Sequence, residues 1–120
     1  MGQSSVAMIR ISGPDSFSIA KKLTRTKKSR AHHEVALLLI KNNEGASLDR
    51  GLFTFFISPN SYTGEDIVEI SCHGNQLVVG IIISRCIQLG ARIAEPGEYT
   101  KRAFLNNKIS LTQAESVGAL

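Results

Sequence analysis

The chain has 120 residues, of which 42% are apolar and 20% are charged, and 14 Lys and Arg outnumber 10 Asp and Glu to give a net charge of +4. This composition excludes a disordered chain, and the length suits one domain that buries roughly two thirds of its unfolded surface. The mild positive charge permits an RNA partner without requiring one.

Cysteine content and hydropathy point to a cytoplasmic protein without a membrane partner. The two cysteines, Cys72 and Cys86, are too few for the disulfide framework of a small secreted domain. The longest apolar run, residues 77–83, is much shorter than the ~20 residues that a membrane-spanning helix needs.

A strand and a helix are predicted first. Apolar residues alternate over residues 5–12, which is the period of a strand. Gly13, Pro14 and Asp15 then end the strand and begin a helix, because proline and an acidic residue suit a first turn. The helix would direct three residues to the core: Phe17, Ala20 and Leu23.

A basic loop and two strands follow. Residues 24–33 carry four cations without apolar periodicity, which favours a solvated connection over a phosphate-contacting strip but leaves both open. The run of apolar residues in 34–41 predicts a strand buried on both faces, and a turn at residues 42–45 follows it. Residues 51–58 predict the next strand.

The stretch from Pro59 to Gly74 is the most informative part of the chain. It contains a turn with proline, asparagine, serine and glycine, and then a strand over residues 66–72. In that strand, alternation places Val68 and Ile70 on one face and Glu69 on the other. A carboxylate therefore lies in the middle of a strand.

The rest of the chain is predicted to be mostly helical. Residues 75–89 form a helix that is apolar around most of its circumference, which requires cover either from a second layer or from a partner chain. Residues 92–94 are a short strand candidate, and a helix from Pro96 ends at Asn106 and Asn107. Ser110 and Gln113 have the spacing of a capping box that begins another helix, and its interruption at Leu120 suggests a segment of a longer protein.

Three charged residues are candidates for ligand binding: Arg10, Glu69 and Lys108. A guanidinium on a strand suits a carboxylate or a phosphate, and a carboxylate suits a flat heterocycle with adjacent N–H groups. From the pattern alone, a solvated surface charge is the favoured alternative for Arg10, an even alternative for Glu69 and the ordinary expectation for Lys108. We assign no catalytic residue and no metal ligand, because the sequence has no phosphate-binding loop, no Gly-x-Ser-x-Gly motif and no closely spaced Cys or His ligands.

Four ordered blocks resemble the N-terminal domain of the tRNA-modification GTPases of the MnmE (TrmE) family. The resemblance covers almost the whole chain, and it is carried by residues 8–14 (MIRISGP), 60–66 (NSYTGED), 72–74 (CHG) and 96–106 (PGEYTKRAFLN). Residues 111–115 (LTQAE) continue it. Two departures are Asn75 in place of a second glycine and the absence of a strand that precedes Gly2 in the family, so the sheet would be incomplete.

The resemblance implies an α/β (α+β) fold: a mixed sheet with about three helices, similar to the folate-binding domain of the glycine-cleavage aminomethyltransferase. It also implies two parts, a folate-binding and dimerisation domain over residues 1–109 and the start of a central helical domain over residues 110–120.

The implied function is a homodimeric domain that binds 5-formyltetrahydrofolate or a related tetrahydrofolate through Arg10, Glu69 and Lys108. The parent GTPase would act with an MnmG-type flavoprotein on the wobble uridine of tRNA, using a one-carbon unit from the folate. GTP, Mg and K would serve only the GTPase domain elsewhere in that parent.

Two other functions remain open. One is a non-enzymatic dimerisation or RNA-docking module without a small ligand, which the basic loop would serve. The other is a stand-alone one-carbon transferase.

Overall fold

The computed structural model describes residues 5–116, with side chains as far as residue 113. A four-stranded sheet forms its centre, in the order β1-β4-β3-β2. Strand β1 is Val6–Ser12, β2 is Val35–Lys41, β3 is Ser47–Phe56 and β4 is Ile67–His73. All three pairings between these strands are antiparallel.

Within residues 5–116, four helices accompany the sheet. Helix α1 is Ser16–Thr24, α2 is Gln76–Gln88, α3 is Glu98–Leu105 and α4 is Leu111–Ser116. The α+β class is therefore confirmed, with three helices before residue 110 and a fourth that begins after it. None of the helices within residues 5–116 has the length and hydropathy needed to cross a bilayer.

Helices α1 and α2 cover one face of the sheet, and the core lies between them and the strands. Alternation in each strand sends every second side chain into this layer. Phe53, Ile70 and Leu23 are fully buried there, and burying a side chain of this size contributes about 1.5–3 kcal/mol. The core cluster is Ile11, Ile19, Ala20, Leu23, Ile40, Phe53, Phe55, Val68, Ile70, Cys72, Ile82 and Cys86.

Local signals mark both ends of α2 and the start of α4. The Asn75 side chain accepts hydrogen bonds from Leu77 N and Val78 N and so caps α2, while Gly90 follows the helix with φ of 118°. Ser110 and Gln113 form the predicted capping box, with Gln113 N donating to Ser110 Oγ at 3.2 Å and Ser110 N to Gln113 Oε1 at 2.8 Å.

Two predictions about local structure are wrong. Strand β2 is buried on one face only, because it lies at the edge of the sheet and the helices cover a single face: Val35, Leu37 and Leu39 are exposed. Residues 92–94 form no strand, since no strand within residues 5–116 lies beside them to supply hydrogen bonds.

The predicted helix at residues 75–89 is confirmed, but the described part of the chain covers it from one side only. Ile82 and Cys86 are buried, whereas Leu77, Ile81 and Ile87 are exposed. Cover from a partner chain stays a prediction.

Candidate functional site

Arg10 and Glu69 form an ion pair on the uncovered face of the sheet. They are directly opposite each other in the β1–β4 register, and Arg10 Nε lies 2.6 Å from Glu69 Oε2. The Arg10 side chain is 54% exposed and the Glu69 side chain 23%. Two of the three predicted site residues are therefore brought together, because antiparallel pairing places facing side chains about 4.5–5.5 Å apart at Cβ.

The pair retains hydrogen-bonding capacity. Arg10 uses Nε and Glu69 uses Oε2, and among residues 5–116 no other hydrogen bond engages either side chain. Two guanidinium nitrogens and one carboxylate oxygen therefore have no hydrogen-bond partner among residues 5–116. A flat ligand with both donors and acceptors could bind to these groups through charge-assisted hydrogen bonds.

The sheet face that carries the ion pair is largely apolar beyond the pair's immediate neighbours. We call the uncovered face of the sheet the outer face. Leu37 of β2 lies opposite Leu52 of β3, and Leu52 lies opposite Ser71 of β4, which in turn pairs with Met8. The exposed apolar side chains of the outer face are Val6, Met8, Val35, Leu37, Leu39 and Leu52.

Lys108, the third predicted site residue, lies elsewhere. It follows α3, where its backbone N–H donates to Ala103 O at 2.8 Å. A Cβ built on Gly64 would lie 3.4 Å from Lys108 Cγ, so the Lys108 side chain runs beside the turn at residues 63–66. Within the described residues, no hydrogen bond or ion pair joins it to Arg10 or Glu69.

A polar network that the sequence did not predict joins that turn to α3. Arg102 donates from Nη1 to Glu65 Oε1 at 2.9 Å and from Nη2 to Glu98 Oε2 at 2.6 Å, and Arg92 also donates to Glu98. We call residues 63–66 together with α3 the turn–helix junction. The hydrogen bonds from Arg92, from Glu95 N and from Arg102 lower the pKa of Glu98 to about 2.

Thr63 is the buried centre of the junction. Its side chain is fully buried, its Oγ1 lies 2.8 Å from Ser12 Oγ, and its carbonyl accepts from Asn106 Nδ2 at 2.8 Å. Gly64 next to it has φ of 82°, and an added Cβ would come within 2.9 Å of Asn106 Cβ, so only glycine fits. The glycine of the predicted turn is therefore required by close packing against Asn106, and Thr63 holds the turn to β1 and to the residue that follows α3.

Tyr99 connects the junction to the ion pair. Its hydroxyl donates to the backbone carbonyl of Arg10 at 2.8 Å, and burial raises the pKa of the Tyr99 phenol. This bond fixes the backbone of β1 at the residue that carries the guanidinium. Tyr99 is therefore a positioning residue that sequence reasoning placed only on a helix.

A groove of about 560 Å³ runs along the free edge of β1. Its walls come from β1, α2, the start of α1, the segment before α3 and α3 itself, and they include Arg10, Tyr99 and Arg102. The volume lies within the ~300–1,000 Å³ range of small-molecule sites. Neither Glu69 nor Lys108 lines it, so the groove and the ion pair share Arg10 alone among the three predicted residues.

The cysteines and His73 do not form a nucleophilic site. Burial raises the pKa of Cys86 to about 11 and also raises the pKa of Cys72, which keeps both thiols protonated. His73 Nδ1 lies 2.7 Å from Asp49 Oδ1, and His73 N donates to Asp49 Oδ2 at 3.0 Å. Burial alone would raise the pKa of Asp49, but hydrogen bonds from the His73 and Arg50 backbone and from the His73 ring lower it overall.

Comparison with known proteins gives the family. A sequence model described as "GTP-binding protein TrmE N-terminus" matches residues 1–108. The chain is 48% identical over 116 residues to the tRNA modification GTPase MnmE of Francisella philomiragia, which covers 97% of the chain and 25% of that protein. The MnmE of Akkermansia muciniphila is 50% identical over 119 residues, covering 97% and 26%, and that of Thermotoga maritima is 47% identical over 116 residues, covering 97% and 26%. The chain thus spans about a quarter of the length of these relatives.

Proposed function

The chain belongs to the GTP-binding protein TrmE N-terminus family, and from this premise we propose that it is the folate-binding and homodimerisation domain of a tRNA-modification GTPase. In the cytoplasm the parent protein acts with an MnmG-type flavoprotein on the wobble uridine of tRNA, with a one-carbon unit from tetrahydrofolate. GTP hydrolysis, with Mg and K, belongs to another domain of that parent. Residues 1–109 are the folate-binding part and residues 110–120 begin a helical domain.

The Arg10–Glu69 ion pair carries this proposal. A reduced pterin presents adjacent N–H donors on one edge, and a carboxylate is the acceptor that matches them. Glu69 Oε1 is open, and Arg10 keeps two nitrogens for a carbonyl or carboxylate oxygen. The residues present therefore fit a folate, and Tyr99 holds Arg10 in place through its carbonyl.

Lys108 supplies a second contact region in this proposal. Because it lies beside Gly64 rather than beside Glu69, it would meet a different part of a long ligand. The glutamate tail of a folate carries carboxylates, which suit a lysine that is strongly exposed. The role of the bound folate is to supply the one-carbon unit, and the role of these side chains is to bind and orient it.

The outer face supports the dimer. Six large apolar side chains are exposed on one side of the sheet, which is more than scattered surface residues would provide. A two-fold axis would place this face against the same face of a second copy, since isologous contacts are self-complementary. Arg10 and Glu69 lie within the same surface, so dimerisation would also lower their exposure to water.

Calorimetric titration of 5-formyltetrahydrofolate into the purified chain tests the folate site. Glu69→Ala should weaken binding roughly 10- to 150-fold, because a charge-assisted contact contributes about 1.5–3 kcal/mol. Glu44→Ala is the matched control, since Glu44 is an exposed carboxylate in the β2–β3 turn. Equal affinity of the wild-type chain and Glu69→Ala would remove Glu69 from the site, and absence of binding by the wild-type chain would reject the folate function.

A dimerisation and RNA-docking module without a small ligand is the second candidate. The concentration of positive charge in residues 21–34 favours it. A wild-type chain that dimerises and binds tRNA, but gives no heat with the folate, would establish this candidate instead.

A further inference from the structure

The positive charge of the chain is concentrated in residues 21–34, which we call the basic segment. Six of the 14 Lys and Arg residues lie there, and Glu34 is its one carboxylate, so the basic segment carries +5. The whole chain carries +4, which leaves −1 for all other residues. A polyanion would therefore meet an attractive surface at this segment and a weakly repulsive one elsewhere.

The backbone gives the basic segment a fixed shape. It comprises the last turn of α1 and the connection to β2, and Arg25 ends the helix in the left-handed region with φ of 53°. The Arg25 guanidinium already has a partner within the chain, because its Nη2 donates to Asn43 O at 2.5 Å. Four lysines and Arg30 remain for an external ligand.

Arg30 is held in place on the protein surface. Its side chain is only 10% exposed, its guanidinium lies 5.7 Å from the centre of the Phe55 ring, and Nη1 is 3.0 Å from Glu34 Oε2. Within the described residues this is its one ion pair, and Lys28 reaches the same Glu34 oxygen only at 3.9 Å. One carboxylate therefore cannot neutralise both cations.

A small pocket of about 90 Å³ opens between α1 and this connection. Its lining combines three apolar residues, Phe17, Ala20 and Phe55, with three cations and three hydroxyl side chains. At ~30 Å³ per water molecule, this volume is on the scale of a small anion and far too small for a nucleotide. The cations and hydroxyl residues are Lys21, Lys28, Arg30, Thr24, Thr26 and Ser29.

We propose that the basic segment is a contact surface for the sugar-phosphate backbone of RNA, with one phosphate in the small pocket against Arg30, Lys21 and Lys28. Lys22 and Lys27 meet neighbouring phosphates. The identification of this RNA as tRNA rests on the proposed function.

The side chains of the segment distinguish RNA from a membrane. A protein surface that binds lipid combines cations with exposed large apolar groups that enter the acyl region. In residues 21–34 the one large aliphatic side chain, Leu23, is fully buried. Isolated cations around a phosphate-sized pocket suit a backbone of regularly spaced phosphates.

Fluorescence anisotropy with a labelled tRNA transcript, at several salt concentrations, tests this surface on the 120-residue chain. The variant Lys22→Ala/Lys27→Ala/Lys28→Ala should reduce the slope of log K against log salt by about 2 to 3, because each phosphate contact contributes roughly 0.7–0.9 to it. The control Lys41→Ala/Arg50→Ala/Lys101→Ala removes the same charge outside the segment and should leave most of the slope. Equal losses in the two triple variants would overturn the proposal, as would undetectable tRNA binding by the wild-type chain.

Two further arms locate the ligand. Arg30→Lys keeps the charge but removes the planar fork, and it should weaken tRNA binding several-fold more than Arg50→Lys does. Sedimentation with phosphatidylserine vesicles should show little binding, and vesicle binding without tRNA binding would overturn the RNA assignment. Calorimetry with inorganic phosphate distinguishes a site for free anions from a site for RNA. Phosphate binding without tRNA binding would also overturn the RNA assignment.

The folate titration remains independent of these results. The basic-segment triple variant should bind 5-formyltetrahydrofolate like the wild-type chain, since none of its residues touches Arg10, Glu69 or Lys108. A wild-type chain that binds tRNA through the basic segment but does not bind the folate would therefore reject the proposed function alone.

Discussion

The turn–helix junction and the outer face lie on the same fold but are stabilised in opposite ways. The junction satisfies its charges within the chain: Arg102 joins Glu65 to Glu98, and Thr63 is fully buried. The outer face instead leaves large apolar groups in water, among them Leu37 and Leu52. A region with internally paired polar groups positions other parts of the molecule, whereas an unpartnered apolar face is suited to association.

The largest expected effect concerns the outer face. Leu37→Lys should weaken the proposed dimer more than 100-fold, because it would bury a lysine without a partner charge in the outer-face interface. Sedimentation velocity over a concentration series measures this effect. Leu77→Lys is the matched control: Leu77 is 72% exposed on α2, against 58% for Leu37 on β2. If Leu77→Lys dissociated the dimer and Leu37→Lys did not, α2 would be the interface and the outer face would not be the surface of association.

The second prediction breaks the junction. Arg102→Ala removes the shared partner of Glu65 and Glu98 and should lower the free energy of unfolding by about 1–2 kcal/mol, a value reduced for the partial exposure of this arginine. Urea unfolding of the chain measures this free energy. Arg50→Ala removes an exposed arginine from β3 and should change the free energy of unfolding by less than about 0.5 kcal/mol. Equal losses would mean that the network contributes no more than an ordinary surface charge.

The third prediction isolates the buried hydroxyl. Thr63→Val keeps the shape but removes the contact with Ser12 Oγ and the bond accepted from Glu65 N, so about 1 kcal/mol of stability should be lost. Thr54→Val, at a partly exposed position of β3, is the comparison and should be nearly neutral. A neutral Thr63→Val would show that the glycine at position 64, and not the hydroxyl, holds the turn.

The smallest effect is pH-dependent. Because the folded-state pKa of Glu98 is lowered from 4.5 to about 2, its contribution to stability is present above pH 4.5 and is lost as the pH falls towards 2. The stability difference between the wild-type chain and Glu98→Gln should therefore narrow across that window. A difference that stays constant from neutral pH to about pH 2.5 would contradict the hydrogen-bonded state of Glu98.

Much of the fold was predictable because local rules and tertiary structure agree. Alternation located β1 and β4 and the faces of Glu69 and its neighbours, and the capping box at Ser110 formed as the sequence predicted. The errors arose where partners decide the outcome. An apolar run cannot tell whether a strand is central or at an edge, so the exposure of Leu37 was missed, and residues 92–94 lack a neighbouring strand.

The candidate site, like the fold, was predictable in its residue types but not in its tertiary contacts. The sequence selected Arg10, Glu69 and Lys108, yet it could not say that the first two pair at 2.6 Å while the third lies beside Gly64. It also gave no signal for Tyr99 or Arg102, because their partners Arg10 and Glu65 are 89 and 37 residues away in the chain.

The sequence by itself determined the secondary structure of most of this chain, the concentration of charge in residues 21–34 and the family resemblance, because these depend on residue types and on spacing along the chain. Only the tertiary structure decided which face of the sheet is covered, which charges are paired and where the pockets lie. Those properties depend on strand order and on contacts between residues far apart in sequence, and periodicity contains no information about either.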